Sequence, residues 1–476
     1  MQENLTFDVI VIGAGPGGYT AAIRASQLGL RTAIIEKNAS LGGTCLNVGC
    51  IPAKALLDTT ELWTAIRDKA GTHGITFDNL RFDLAAIMER KRQAVDRLTK
   101  GVALLMRENK IETFHGTARL ASPQEVKISN NDGKESSLKG TSVIIAAGSA
   151  PASLPTVPFD GKNIVNSDEA LSFEAVPESL IVIGAGAVGL ELGSVWSRLG
   201  SKVTVIELVD QLLPGMDTQT CRSLMQILKR QGLEFSLSTK VTSSSQKKGS
   251  VELKGANDKG KELSFSGTKV LVAVGRKAYH EGLGLEVLNI GLTERGKIRV
   301  NERYETSVPH VYAIGDIIDG PMLAHKAGDE GIAVSELIAG KAGRVNYDAI
   351  PSVVYTWPEL ASVGKTEDQC KSENIPYNKG MFYFRANGRG ITSDNMDGFV
   401  KIIAHKDTDR LLGGIVLGPW ASDLISEIVT VMEFGGSSED IARTMHAHPT
   451  LSEVVKEAAL DVEARSIHAP PGPARR

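Results

Sequence analysis

The sequence predicts an α/β chain with two doubly wound units and a C-terminal α+β domain, on three observations. The first is an internal repeat. An apolar strand, Asp8–Ile12, runs into Gly13-Ala-Gly15-Pro-Gly-Gly18, an amphipathic helix to about Leu28 and a second strand, Thr32–Ile35, closed by Glu36. Leu180–Ile183 runs likewise into Gly184-Ala-Gly186-Ala-Val-Gly189, a helix to about Leu199 and Val203–Ile206, closed by Glu207. In both copies the acid lies 23 positions after the first glycine. The second observation is a later β-run closing on glycine in each copy, Val143–Gly148 and Val270–Gly275. The third is the change of pattern after Pro351, where strand-like segments precede two amphipathic helices.

Each element has a local reason. Gly13 permits the tight turn after the strand, Gly15 lets backbone approach a pyrophosphate, and Gly18 lets helix pack on strand, so the first copy reads as a Rossmann-like dinucleotide site. Glu36 is positioned to accept from a ribose. The second copy is as complete. A carboxylate at Glu207 pairs with free ribose hydroxyls and repels a 2′-phosphate, and Leu208 and Val209 supply no cation to welcome one, so NAD is expected rather than NADP. Between the copies, Asp83–Glu108 reads as a long amphipathic packing helix. Thr242–Thr268 reads as β-hairpins at the edge of the second unit, and His310–Ile314 as a strand leading to Gly315-Asp316. Beyond Pro351, the expected strands are Ser352–Thr356, Tyr377–Arg385 and Phe399–Ala404. The expected helices there are Asp423–Phe434 and Ser452–Ala464, with a frayed, proline-bearing tail over Ile467–Arg476.

Composition narrows the function classes. At 476 residues the chain exceeds one ordinary core. A net charge of −3 without a basic block gives no footprint for nucleic acid or an anionic membrane. No apolar run is long enough to span a bilayer, and the first strand starts almost at the initiator, so a secretory or transit segment is not expected. Four cysteines do not make a disulfide framework, and Cys221 and Cys370 stand alone as packing residues. A reducing compartment, the cytoplasm, is expected, or a mitochondrial matrix if a presequence has been removed.

The chemistry concentrates in Gly43-Thr44-Cys45-Leu-Asn-Val-Gly-Cys50-Ile-Pro-Ala-Lys54. Two cysteines five positions apart, just after a nucleotide fingerprint, read as a redox pair rather than a metal fragment. Pro52 suits a first helical turn, so Cys50 falls at or just before a helix N-terminus, where a thiolate is favoured. Lys54 lies one helical turn further on; it reads either as a solvated lysine or as an ammonium that stabilises a reduced, anionic flavin ring beside the cysteines, and Glu191 is a candidate partner for it. Far away, His446-Ala-His448-Pro449-Thr450 is followed by Glu453. A thiol substrate must lose a proton before it attacks a disulfide. His448 is the candidate base, Glu453 its orienting carboxylate and His446 a supporting residue. The bond into Pro449 is a candidate for the cis form. Two histidines at i, i+2 without a third ligand do not suggest metal.

Together these residues resemble the pyridine nucleotide–disulfide oxidoreductase family, in its Cys-x-x-x-x-Cys class. The supporting stretches are Gly43–Pro52, Ala147-Gly148, Gly275-Arg276, Ala313–Asp316, Met322–His325, Tyr355–Glu359 and His448–Thr450. The resemblance covers nearly the whole chain and implies an FAD domain at 1–149, an NAD domain at 150–279, a central domain at 280–350 and a dimerisation domain at 351–476. It implies FAD contacts from Gly13, Gly15, Gly18, Glu36, Thr44, Lys54, Gly116, Ala147, Gly148, Ser149, Asp316, Met322, Ala324 and His325. Asp316 would hold the ribityl chain, and Ala324 would lie at the flavin ring. For NAD it implies Gly184, Gly186, Val188, Gly189, Glu191, Glu207, Val241 and Gly275. It implies further that His448 and Glu453 serve the Cys45 of a dimer partner, so that a monomer has no complete site. Ala53, where serine or threonine is frequent, and the extended tail are small departures.

Within the family, Glu207 argues against the NADP-dependent glutathione-type reductases. The absence of any cysteine after Cys370 argues against mercuric and larger thioredoxin reductases, and the cysteine pair argues against the flavin transhydrogenases. The member implied oxidises a protein-bound dihydrolipoyl group through Cys45 and Cys50 and passes hydride to NAD. Its expected partners are a second copy and the lipoyl domains and acyltransferase core of 2-oxoacid dehydrogenase complexes, or the lipoyl carrier of glycine cleavage. The alternatives are another flavin-dependent disulfide reductase of this family, or chiefly a docking subunit of a multienzyme complex.

Overall fold

The computed structural model describes residues 5–470 apart from 131 and 248. The chain divides into two compact units, each assembled from separate stretches. One comprises Met1–Leu56, Asp83–Ala152 and Gly275–Val345; the other comprises Leu57–Phe82, Ser153–Val274 and Asn346–Arg476.

The first unit is built on a seven-stranded sheet. Strand Thr6–Ile12 lies between Thr32–Glu36 and Glu135–Ile145, parallel to both, and Glu112–His115 extends the sheet beyond Thr32–Glu36. Val9, Ile10 and Val11 are wholly buried, which is why this strand reads as a continuous apolar run rather than an alternating one. Glu135–Ile145 pairs in both senses within this sheet. Its first half pairs antiparallel with Glu125–Ser129, and its last residues pair parallel with Val311–Ala313, from 168 positions further along. Helix Pro16–Gln27 packs against helix Ala324–Ile338 so closely that a Cβ on Gly331 would sit 2.6 Å from the Gly17 carbonyl oxygen. The Ser335 hydroxyl crosses the same seam to the Ala21 carbonyl at 2.9 Å. Helix Leu84–Glu108 starts where the sequence places it, with Asp83 accepting from the Ala85 and Ala86 N–H groups.

The second unit carries the repeat. Glu234–Ser236, Lys202–Ile206, Ser179–Ile183, Lys269–Val272 and Ile164–Val165 form a five-stranded, all-parallel sheet in that order. Thr239–Lys247, Ser250–Asn257 and Glu262–Gly267 make the expected hairpins. They form an antiparallel sheet of their own, however, rather than extending the parallel one. The alternation of Val251 and Leu253 with polar neighbours gives that small sheet one buried face.

The C-terminal stretch is a five-stranded antiparallel sheet, ordered Ser352–Val354, Glu359–Gly364, Leu411–Gly418, Phe399–His405, Tyr377–Tyr383. Helices Ala421–Glu433 and Glu453–Val462 cover it. Two of these strands, Glu359–Gly364 and Leu411–Gly418, are additions to the sequence reading. The expected frayed tail is corrected in part. Glu457 accepts from the N–H groups of Ile467 and His468 at 2.9 and 3.2 Å, and its other oxygen meets His468 Nδ1 at 2.8 Å. The rest of that tail, residues 471–476, lies outside the described residues. No helix among the described residues is long and apolar enough to cross a membrane, and none of their His, Cys, Asp and Glu side chains form a group that could hold a metal ion.

Candidate active site

The two fingerprints are built alike to the level of single hydrogen bonds. Glu36 turns back and accepts the Ala14 N–H at 2.9 Å through one oxygen and the Asn38 N–H at 2.9 Å through the other. Glu207 accepts the Ala185 N–H at 2.7 Å and the Val209 N–H at 3.1 Å. Each carboxylate is buried and braces the glycine loop beside it. An ionised carboxyl group has about four acceptor positions, so ribose hydroxyls can still be received.

The glycines divide by role. A Cβ on Gly13 or Gly18 would lie 2.5 Å from the Ala146 oxygen or 1.8 Å from the Gly13 oxygen; on Gly184 or Gly189, 2.4 Å from Ala273 or 2.1 Å from Gly184. Packing alone demands these four. A Cβ on Gly186 would meet nothing within 4 Å among the described residues, and one on Gly15 only the Gly43 Cα at 3.9 Å. Gly15 and Gly186 are also the N-caps of the 12-residue helices Pro16–Gln27 and Ala187–Arg198, and neither receives a side-chain cap. Open space in front of uncapped N–H donors suits the diphosphate of a dinucleotide. Both loops therefore fit the diphosphate of a dinucleotide, as FAD and NAD each require.

Further residues of the expected FAD site gather in the first unit. Gly116 donates its N–H to the Glu36 carbonyl at 2.9 Å. Ala147 and Gly148 follow the end of strand Glu135–Ile145, and Gly148 takes a left-handed φ of +74°. Ser149 donates its hydroxyl to Asp316 Oδ2 at 2.5 Å and accepts from Arg276 Nε at 2.7 Å. Arg276 also donates to the Ser149 carbonyl at 2.8 Å, so Arg276, named in the sequence only as part of a stretch, orients the serine. Met322 lies two residues before Ala324, which opens the 15-residue helix with His325 next; its cap residue Leu323 offers no side-chain acceptor.

In the second unit, Glu191 Oε1 accepts the Tyr355 N–H at 3.0 Å. Val188 is exposed in the first turn of helix Ala187–Arg198, and buried Val241 precedes an irregularity in strand Thr239–Lys247. Gly275 falls in the other compact unit, with a φ of +113°.

The cysteine run folds into two helices, where one was expected. Thr44 and Cys45 lie in Gly43–Val48, and Cys50 is the first residue of Cys50–Lys69. Gly43, at φ +57°, approaches the first fingerprint so closely that a Cβ there would lie 2.6 Å from the Gly15 Cα. This contact sets the cysteines beside the dinucleotide loop. The Cys45 thiol is pushed far above its ordinary range, chiefly by its hydrogen bond to the Cys50 sulfur and then by burial, while the Lys54 ammonium pulls the other way. The two sulfurs are therefore coupled, and Cys50 opens helix Cys50–Lys69, whose N-terminus accommodates negative charge. Tyr19, which the sequence reading missed, stands close enough to Cys45 to feel its charge; burial and that charge both raise its phenol.

His448 Nδ1 lies 2.9 Å from Glu453 Oε1, and Glu453 Oε2 accepts the Thr450 N–H at 2.9 Å. Burial pushes the Glu453 carboxyl up, but the Thr450 N–H and His448 outweigh it and hold it below the usual range. An ionised carboxylate only accepts, so Nδ1 carries hydrogen and the Nε2 lone pair is left to take a proton. The imidazole is 79% exposed, as a base that meets a substrate from outside must be. The peptide into Pro449 is cis. His446 is different in kind. Nδ1 faces the Thr444 carbonyl at 3.0 Å and Nε2 faces Glu427 at 2.8 Å, so both ring nitrogens meet acceptors. The Glu427 bond raises its pKa, against burial, and favours an imidazolium that supports the loop. Cys221 and Cys370 are buried packing residues.

Residues 7–331 match the sequence model of pyridine nucleotide-disulphide oxidoreductases, and residues 350–459 match the dimerisation domain of the same family. The chain belongs to the pyridine nucleotide-disulphide oxidoreductase family. Among its relatives, dihydrolipoyl dehydrogenase 1, mitochondrial, of Arabidopsis thaliana is 48% identical over 462 residues, covering 97% of this chain and 91% of the relative. A leghemoglobin reductase of Vigna unguiculata is 48% identical over 454 residues, covering 95% and 87%. The crystal structure of LpdA from Mycobacterium tuberculosis superposes with a TM-score of 0.88 at 25% identity, covering 96% of this chain and 99% of that one.

Proposed function

We propose that the chain is an NAD-dependent dihydrolipoyl dehydrogenase that works as a homodimer. The observation that carries the reading is the exposed His448 held by Glu453: such a base has a purpose where a dithiol arrives from outside. The near-full-length likeness to dihydrolipoyl dehydrogenases supports the same substrate. FAD is bound by residues 1–149 with the central 280–350, NAD by residues 150–279, and the dimer is made by 351–476.

His448 Nε2 removes a proton from one dihydrolipoyl thiol. The thiolate attacks Cys45 of the oxidised Cys45–Cys50 pair in the other subunit, and Cys50 leaves as a thiolate. The second substrate thiol displaces Cys45, its proton passing to the departing Cys45 sulfur; the cyclic disulfide is released, Cys50 remains a thiolate and His448 holds the first proton. FAD, when bound, supplies the two-electron relay from these sulfurs to NAD. Lys54 would stabilise the reduced, anionic flavin, Asp316 would hold the ribityl chain, and Glu207 would hold the adenosine ribose of NAD. The partners are lipoyl domains and the acyltransferase core of 2-oxoacid dehydrogenase complexes, or the lipoyl carrier of glycine cleavage. The compartment is a reducing one: the mitochondrial matrix, in line with the mitochondrial relative, or the cytoplasm.

The test is an anaerobic absorption spectrum of the purified protein before and after dihydrolipoamide. A flavin spectrum that gains a long-wavelength shoulder is expected. A flavin spectrum that dihydrolipoamide leaves unchanged, while NADH still reduces it, would refute the substrate.

A further inference from the structure

Lys326 and Glu330 form a wholly buried ion pair, 3.0 Å apart, one turn from each other on helix Ala324–Ile338. Two hydrogen bonds from the pair converge on one residue. Glu330 Oε2 accepts the Gly315 N–H at 2.7 Å, and Lys326 Nζ donates to the Gly315 carbonyl at 3.0 Å. Gly315 has a left-handed φ of +80°, where a side chain would be strained, and a Cβ there would lie 3.3 Å from the Ala327 Cβ. Gly320 makes room for the lysine stem, since a Cβ at that position would come within 3.0 Å of Lys326 Cε. Asp316, the next residue, gives Oδ2 to the Ser149 hydroxyl.

A buried ion pair is a poor source of stability, because desolvating two charges offsets their attraction. In this one each member also holds a peptide group of the same residue, Gly315. We propose that Lys326 and Glu330 are positioning residues for FAD: they clamp Gly315 so that the Asp316 carboxylate is set in place before the ribityl chain arrives. The proposal rests on the reading of Asp316 as a ribityl ligand. It adds that the geometry of Asp316 is imposed by helix Ala324–Ile338 rather than by the cofactor.

The test compares FAD affinity, measured by titrating apoprotein with FAD, and thermal unfolding of apo and holo forms, in three variants. K326M/E330M removes the clamp without stranding a charge. K326Q/E330Q keeps a donor and an acceptor for Gly315. D316A reports on the ligand itself. D316A and K326M/E330M are each expected to weaken FAD by about tenfold or more, the value of one or two lost hydrogen bonds, with K326Q/E330Q restoring most of it. The holo melting temperature of K326M/E330M should fall toward an apo value that stays at the wild-type level. If D316A loses FAD affinity and K326M/E330M does not, the clamp is refuted and the ribityl reading stands. If D316A is neutral, both fall. Equal loss of apo and holo stability in K326M/E330M would make the pair merely structural and overturn the proposal. Should that variant not fold, hydrogen exchange of the Gly315 amide in wild-type apoprotein decides: protection without FAD supports the clamp, and fast exchange overturns it.

Discussion

His448 and Glu453, five residues apart, are joined at 2.9 Å across the entry to helix Glu453–Val462, and the carboxylate is fixed in turn by the Thr450 N–H. The imidazole proposed as the base is therefore aimed by the backbone that carries it. H448Q should lower dihydrolipoamide turnover by about 10²–10⁴-fold, the usual contribution of a general base. NADH oxidation by artificial acceptors, which needs no thiol deprotonated, should be spared. E453Q should cost less and shift the pH profile. Full dihydrolipoamide turnover in H448Q would remove the base assignment.

Lys54 draws the Cys45 thiol downward against the Cys50 bond and burial. Removing the ammonium in K54M should move the alkylation profile of the reduced pair about one pH unit toward alkali. Iodoacetamide labelling across pH measures it, and an unmoved profile would place the ammonium elsewhere. C50S should abolish the long-wavelength band of the reduced protein while leaving the flavin spectrum otherwise intact.

Glu207 braces the Ala185 and Val209 amides, and in the proposed function it also holds the ribose of NAD. E207A should therefore weaken NAD by about tenfold or more, and should gain little NADP activity because the loop loses its brace. E207Q should retain more NAD activity than E207A. Ratios of kcat/KM for NAD and NADP measure both effects. A clean switch to NADP by E207A alone would contradict the double role.

Glu367 sits among Lys371, Lys379 and Lys401, with Tyr377 donating to it at 3.0 Å. Burial pushes this carboxyl up, but the hydrogen bonds from Lys371 and Lys379 dominate and bring it down to about 2. Its folded pKa is thus below its unfolded one. The stability it contributes is present above about pH 4.5 and is lost as pH falls toward 2. E367Q should lower the melting temperature clearly at pH 7, and the gap to wild type should narrow steadily below pH 4.5. A gap that is constant with pH would show that the charge of Glu367 is not what matters.

What could be read from the residues was local. The glycine loops, their acids 23 positions on, the cysteine pair and the His448–Glu453 spacing all lie within short runs whose chemistry is set by near neighbours. The helix Gly43–Val48 was not legible, because six residues with two glycines nearby carry no period. The Thr239–Gly267 strands showed as hairpins, but which sheet they joined depended on remote packing. Lys326 and Glu330 look on paper like any exposed i, i+4 pair. Only the close seam between Gly17 and Gly331, remote in sequence, shows why that helix has no outer face there.

Lys401 illustrates the cost of distance in another currency, time. Its buried ammonium meets both oxygens of Asp217 at 2.9 Å, and Asp217 also caps helix Thr218–Arg230. The two residues are 184 positions apart. At about 5–20 residues per second, a ribosome needs roughly ten to forty seconds after finishing Asp217 before Lys401 exists to answer it. Throughout that interval the nascent second unit holds a carboxylate destined for the interior with no cation to meet it. A chain that ends before residue 401 never supplies this partner for Asp217.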